Sequence, residues 1–113
     1  MDAFISGSRA YGAPSKSSDI DLVIKVSCET LQKLRKLAGV ADKPQEPIRF
    51  GHLNLICLTT DEDMAVWKVG TEQMVQEKLD QKKPVSRNQA IKILDGLRES
   101  IGKGKYECPS GKE

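Results

Sequence analysis

Asp19 and Asp21 stand one residue apart at the head of an apolar run that continues through Leu22, Val23, Ile24 and Val26. Upstream, a short apolar stretch over residues 3–6 ends in Gly7-Ser8. Side chains alternate along a strand, so two aspartates at this spacing project from one face. Such a pair can share a divalent cation, the usual counter-charge for phosphate oxygens. A Gly-Ser turn offers the complementary half, with close backbone N–H groups and a hydroxyl for phosphate. Arg9 and Lys16 are nearby cations suited to the same anion, and Ser18 directly precedes the first aspartate. Each fragment alone is weak: Asp-x-Asp is commonly a solvated strand start, and Gly-Ser a plain turn. The signal lies in their order along the chain.

That order requires elements to carry it. Residues 3–6 and 19–26 read as strands, and residues 9–13 as a single helical turn whose N-terminus favours an anion. Residues 14–18 are loop by composition. Leu31, Leu34, Leu37 and Ala38 recur at helical spacing, which predicts a helix over 28–38 that stops at Gly39. A third strand is expected over 49–59. Thr60 with Asp63 signals a helix start, and that helix is expected to reach about residue 82 with a break near Gly70. Ser86 with Gln89 repeats the capping signal before a helix striped by Ala90, Ile91, Ile93, Leu94, Leu97 and Ile101. One domain over 1–102 and a basic, flexible tail over 103–113 follow.

With the elements in place, the segment from Phe4 to Val26, FISGSRAYGAPSKSSDIDLVIKV, resembles the signature of the polymerase β-like nucleotidyltransferase superfamily. It is particularly similar to the minimal nucleotidyltransferases of prokaryotes. Gly7, Ser8 and Gly12 match the phosphate-binding loop, and Asp19 and Asp21 match the metal ligands. The resemblance implies an α+β fold: a small mixed β-sheet with helices packed mainly on one face. It also implies a nucleoside triphosphate as cosubstrate and magnesium, with two ions possible. The implied reaction moves a nucleoside monophosphate to an acceptor, which is a protein hydroxyl, a small molecule or an RNA end.

The likeness is incomplete at one position. Family members usually carry a third carboxylate on the next strand, and residues 49–59 contain no Asp or Glu. Asn54 best matches the expected acid, and His52 lies one pleat away on the same predicted face. Three readings stand. His52 acts as base or ligand in an active enzyme. Or the domain binds nucleotide, or regulates a partner, with little turnover. Or His52 and Asn54 are a hydrogen-bonded structural pair.

Bulk properties bound the rest. A net charge of +2 is too small to signal nucleic-acid binding by itself, and the basic tail supports it only weakly. No apolar run is long enough to span a membrane. Three widely spaced cysteines, Cys28, Cys57 and Cys108, fit neither a disulfide framework nor a zinc site, so reduced thiols in the cytoplasm are expected. Met64, Trp67, Met74 and Val75 fall on one helix face, which is either core or a surface for a partner protein or second copy.

Overall fold

The computed structural model describes residues 3–43 and 46–101; the tail expected over 103–113 lies outside them. Strand β1 (Ala3–Ser6) runs through Gly7 into a single helical turn, α1 (Ser8–Tyr11). A loop returns the chain to β2 (Ile20–Lys25), followed by α2 (Cys28–Leu37), β3 (Ile48–Phe50) and β4 (Leu53–Leu58). Two long helices complete the order, α3 (Asp61–Gln81) and α4 (Arg87–Ile101). The strands form one sheet in the order β1-β2-β4-β3. β2 and β4 are parallel, while β1 with β2 and β3 with β4 are antiparallel. The result is the α+β fold with a small mixed sheet that the sequence led us to expect.

The helix starts follow the capping residues. Ser27 Oγ accepts from the Thr30 amide at 3.1 Å to open α2. Thr60 Oγ1 accepts from the Asp63 amide at 3.1 Å, and Asp61, Glu62 and Asp63 lie at the positive end of α3. Ser86 and Gln89 exchange backbone-to-side-chain bonds at 3.2 and 3.0 Å ahead of α4.

Helix α3 lies between the sheet and α4. Val66 and Met74, both fully buried, pack with Tyr11, Val85, Ala90 and Leu94, while Met64 joins Val23 and Leu58 against the sheet. Trp67 touches both clusters, and Val75 packs against the first. The Met64–Trp67–Met74–Val75 face is therefore core. The break expected at Gly70 is absent. A Cβ there would lie 2.8 Å from Leu94 Cδ2, so the missing side chain lets α4 pack closely against an unbroken α3.

Residues 49–59 do not form the single strand expected. Gly51 and His52 make a tight turn between β3 and β4. Gly51 adopts φ 63°, a conformation open to glycine and costly for other residues. The turn takes His52 out of the strand that carries Asn54, Ile56 and Leu58.

The cysteines also depart from expectation. Cys28 is disulfide-bonded, whereas Cys57 is free and buried. Burial pushes the Cys57 thiol above its ordinary pKa, with Arg35 opposing, and burial pushes the Tyr11 phenol up as well. A raised pKa in the folded state adds stability that is whole below the ordinary pKa and is lost as pH rises. We expect the denaturation midpoint to fall above about pH 9. Cys57 should resist a thiol reagent at neutral pH until the protein unfolds; fast labelling of the native protein would contradict the burial. No helix among the described residues is long and apolar enough to cross a membrane.

Candidate functional site

The register of the sheet sets four polar residues abreast. Ser6 pairs with Asp21, Asp21 with Asn54, and Asn54 with Arg49. One row thus crosses β1, β2, β4 and β3. Directly paired residues point to the same side of a sheet, so the four side chains share one side. Asn54 Nδ2 donates to Asp21 Oδ1 at 3.0 Å. At the β1 end, Ser6 is fully buried and its hydroxyl bonds Thr71 Oγ1 at 2.8 Å.

Gly7 fits against the same aspartate. A Cβ on Gly7 would sit 1.8 Å from Asp21 Oδ2, and the residue has φ 69°. The chain can make this turn beside the carboxylate only because glycine has no side chain. The Gly7 carbonyl then accepts from the amides of Ala10 and Tyr11 at 2.9 and 3.1 Å, which starts α1. Tyr11 tucks beneath. Burial raises its pKa most, a Ser6 hydrogen bond opposes, and the Asp21 charge raises it further. The phenol stays neutral at ordinary pH and remains a donor next to the row.

Asp19 sits one residue before β2, on the same side as Asp21. Its Oδ2 meets Arg49 Nη2 at 3.1 Å, and its Oδ1 lies 3.5 Å from His52 Nδ1. The Ile20 amide donates to the His52 carbonyl at 2.7 Å, which ties the β3–β4 turn to the head of β2. His52 therefore stands beside Asp19, yet its side chain is three-quarters exposed and is not among the residues lining the cleft described next.

Gly7, Ser8, Gly12, Ser18, Asp19, Asp21, Asn54 and Arg49 open into one cleft of about 870 Å³. Its opposite wall is apolar, with Trp67, Ile91 and Leu94, and carries Arg87 at the start of α4. A cleft with a polar end and an apolar wall suits a small ligand that is itself divided in that way. Two expected cations are elsewhere. Arg9 Nη2 donates to the carbonyls of Ser18 at 2.8 Å and Ser15 at 3.3 Å, so it braces the loop before β2. Lys16 is exposed on that loop. Ser18 Oγ accepts from the Ser15 amide at 2.8 Å. The Gly12 carbonyl accepts from Lys78 Nζ at 2.9 Å, which anchors the turn to α3.

Arg49 and Arg87 were not singled out from sequence. Arg49 belongs to the site only through the pairing of β3 with β4. A hairpin signal at Gly51 was the one cue that could have exposed it.

Asp19 and Asp21, which both line the cleft, are residues of a type that could hold magnesium. Magnesium is commonly held by one or two carboxylates together with substrate phosphates and water, and Asp19 with Asp21 satisfies that pattern. Among the described residues, no three of His, Cys, Asp and Glu converge to hold a metal. At the position expected for the third acid, the Asn54 amide donates to Asp21, and its own oxygen is buried with no partner among the described residues. Turning the amide round would set its oxygen against a carboxylate, so Asp21 fixes the orientation. Comparison with family models, with curated proteins and with solved structures finds no match to this chain.

Proposed function

We propose that the cleft binds a nucleoside triphosphate with magnesium and transfers its nucleoside monophosphate to an acceptor hydroxyl, as in polymerase β-like nucleotidyltransferases. One observation carries the reading: Asp21, pressed against Gly7, shares a single cleft with Ser8, Gly12, Ser18 and Asp19. The Gly7-Ser8 turn would face the phosphates, and Trp67 and Ile91 would flank the nucleoside. Magnesium held by Asp19 and Asp21 would offset phosphate charge. In the transfer, an acceptor oxygen bonds to the α-phosphorus and the bond to the bridging oxygen breaks. Pyrophosphate departs with that electron pair, and the acceptor proton passes to a base. The acceptor belongs to a protein, a small molecule or an RNA end. A partner protein or a second copy of the chain would supply the surface that presents it. A triphosphate cosubstrate points to the cytoplasm; the bonded Cys28 is the observation on the other side.

A second reading, nucleotide binding without turnover, is favoured by Asn54 at the register position of the missing acid. Thermal melting with millimolar triphosphate and magnesium tests what both readings share, because a ligand bound by the native state alone raises Tm. We expect a rise that is lost in Asp21→Ala; no rise with any of the common triphosphates would end both readings. Transfer of label from an α-labelled triphosphate, abolished in Asp21→Ala, would then select the enzyme. Binding without transfer across all three acceptor classes would select the binding module.

A further inference from the structure

We propose that Arg49 replaces the second divalent ion of this site: its guanidinium contacts the triphosphate directly, and the nucleotide binds with a single metal ion. The proposal rests on the nucleotide reading above and sharpens it.

The first support is position. Arg49 stands abreast of Asn54, meets Asp19 Oδ2 at 3.1 Å, and lines the same cleft as Asp21 and Ser8. Its side chain is half exposed, so it is not locked in the core. A guanidinium has five N–H donors in a planar fork, and one contact to Asp19 leaves the rest for phosphate oxygens.

The second support is charge. Three carboxylates with two divalent ions leave one net positive charge facing the phosphates. Here two carboxylates and one guanidinium leave one net negative charge, and a single divalent ion restores the same net positive charge. Asn54 completes the exchange. It donates to Asp21 Oδ1, so that oxygen is already engaged and the position offers no third carboxylate. The row thus carries a donor amide and a guanidinium in place of a third acid.

The test uses the full chain, manganese as a paramagnetic substitute for magnesium, and each common ribonucleoside triphosphate. Electron paramagnetic resonance counts bound ions, and equilibrium dialysis measures the nucleotide. We expect one ion per bound nucleotide. Arg49→Ala should weaken nucleotide binding about 10- to 100-fold, the usual loss for charge-assisted contacts, and Arg49→Lys should weaken it less. Binding of manganese without nucleotide should be unchanged or tighter in Arg49→Ala, because a competitor for Asp19 has gone. A merely structural clamp on Asp19 would give the opposite sign. Two ions per nucleotide in the unaltered protein overturn the proposal, as does undiminished nucleotide binding by Arg49→Ala. If the unaltered protein binds no triphosphate, the nucleotide reading itself falls.

Discussion

Gly7→Ala is expected to lower stability by about 2–4 kcal/mol and to abolish ligand binding in the cleft, although it adds only one methyl group. Two costs combine. The residue has φ 69°, where an L-residue is strained by about 1 kcal/mol or more. The new Cβ would also lie 1.8 Å from Asp21 Oδ2 and 2.7 Å from its Cγ, far inside van der Waals contact. Something must move, and forced repacking typically costs a further 1–3 kcal/mol or so. Asp21 is the side chain in the way. Pushing it aside breaks its bond from Asn54 and disorders the row that crosses the sheet. Gly39→Ala separates the two costs. Gly39 has φ 76°, but a Cβ there meets nothing within 4 Å, so only the backbone strain remains. Chemical denaturation should therefore show Gly7→Ala to be several times as costly as Gly39→Ala. Removing the carboxylate as well, in Gly7→Ala with Asp21→Ala, should recover part of the difference, since neighbours in contact are not additive. Equal penalties at Gly7 and Gly39 would refute the close approach of the turn to Asp21.

The same contact explains why part of the site was visible in sequence. Gly7 and Asp21 are far apart along the chain, but each carries a local mark: a glycine after an apolar strand, and an aspartate opening the next. The helices were visible for similar reasons. Thr60 with Asp63 and Ser86 with Gln89 cap within one turn, so short-range spacing suffices.

What stayed hidden depends on pairing across the sheet. The sequence Phe50-Gly51-His52-Leu53 reads as continued strand because its neighbours are apolar, and Gly51 is the one local sign that the chain turns. Missing that turn put His52 on the cleft face and left Arg49 unremarked. Gly70 misled in the opposite direction. Glycine weakens a helix interior, but here the cost is offset by close packing of Leu94 and Leu97, residues on a helix that follows. Arg9 is placed differently from expectation for a related reason: it braces the loop before β2 and does not line the cleft. Its spacing suited the anion, but the carbonyls of Ser15 and Ser18 are nearer and already fixed.

Asn54→Asp should turn a row joined by an amide–carboxylate hydrogen bond into one that depends on divalent ions. The donor that now meets Asp21 Oδ1 would become a second carboxylate at a partly buried position. Like charges at such separation, with little water between them, cost roughly 2–4 kcal/mol at neutral pH, equivalent to the shifts seen when carboxylates share a site. Arg49 offsets only part of this, because Asp19 already holds it. The penalty should shrink as pH falls and one carboxyl takes a proton. It should also shrink on adding millimolar magnesium, which bridges carboxylates and binds the native state selectively. The unaltered protein, with the amide in place, should gain less from magnesium than Asn54→Asp does when no nucleotide is present. If Asn54→Asp also gains label transfer from an α-labelled triphosphate, the missing acid was limiting catalysis. If it gains metal dependence alone, the row holds nucleotide and ion, and its limit lies with the acceptor. An Asn54→Asp protein as stable as the parent in chelator at neutral pH would mean that the two side chains do not meet, and the polar row would have to be redrawn.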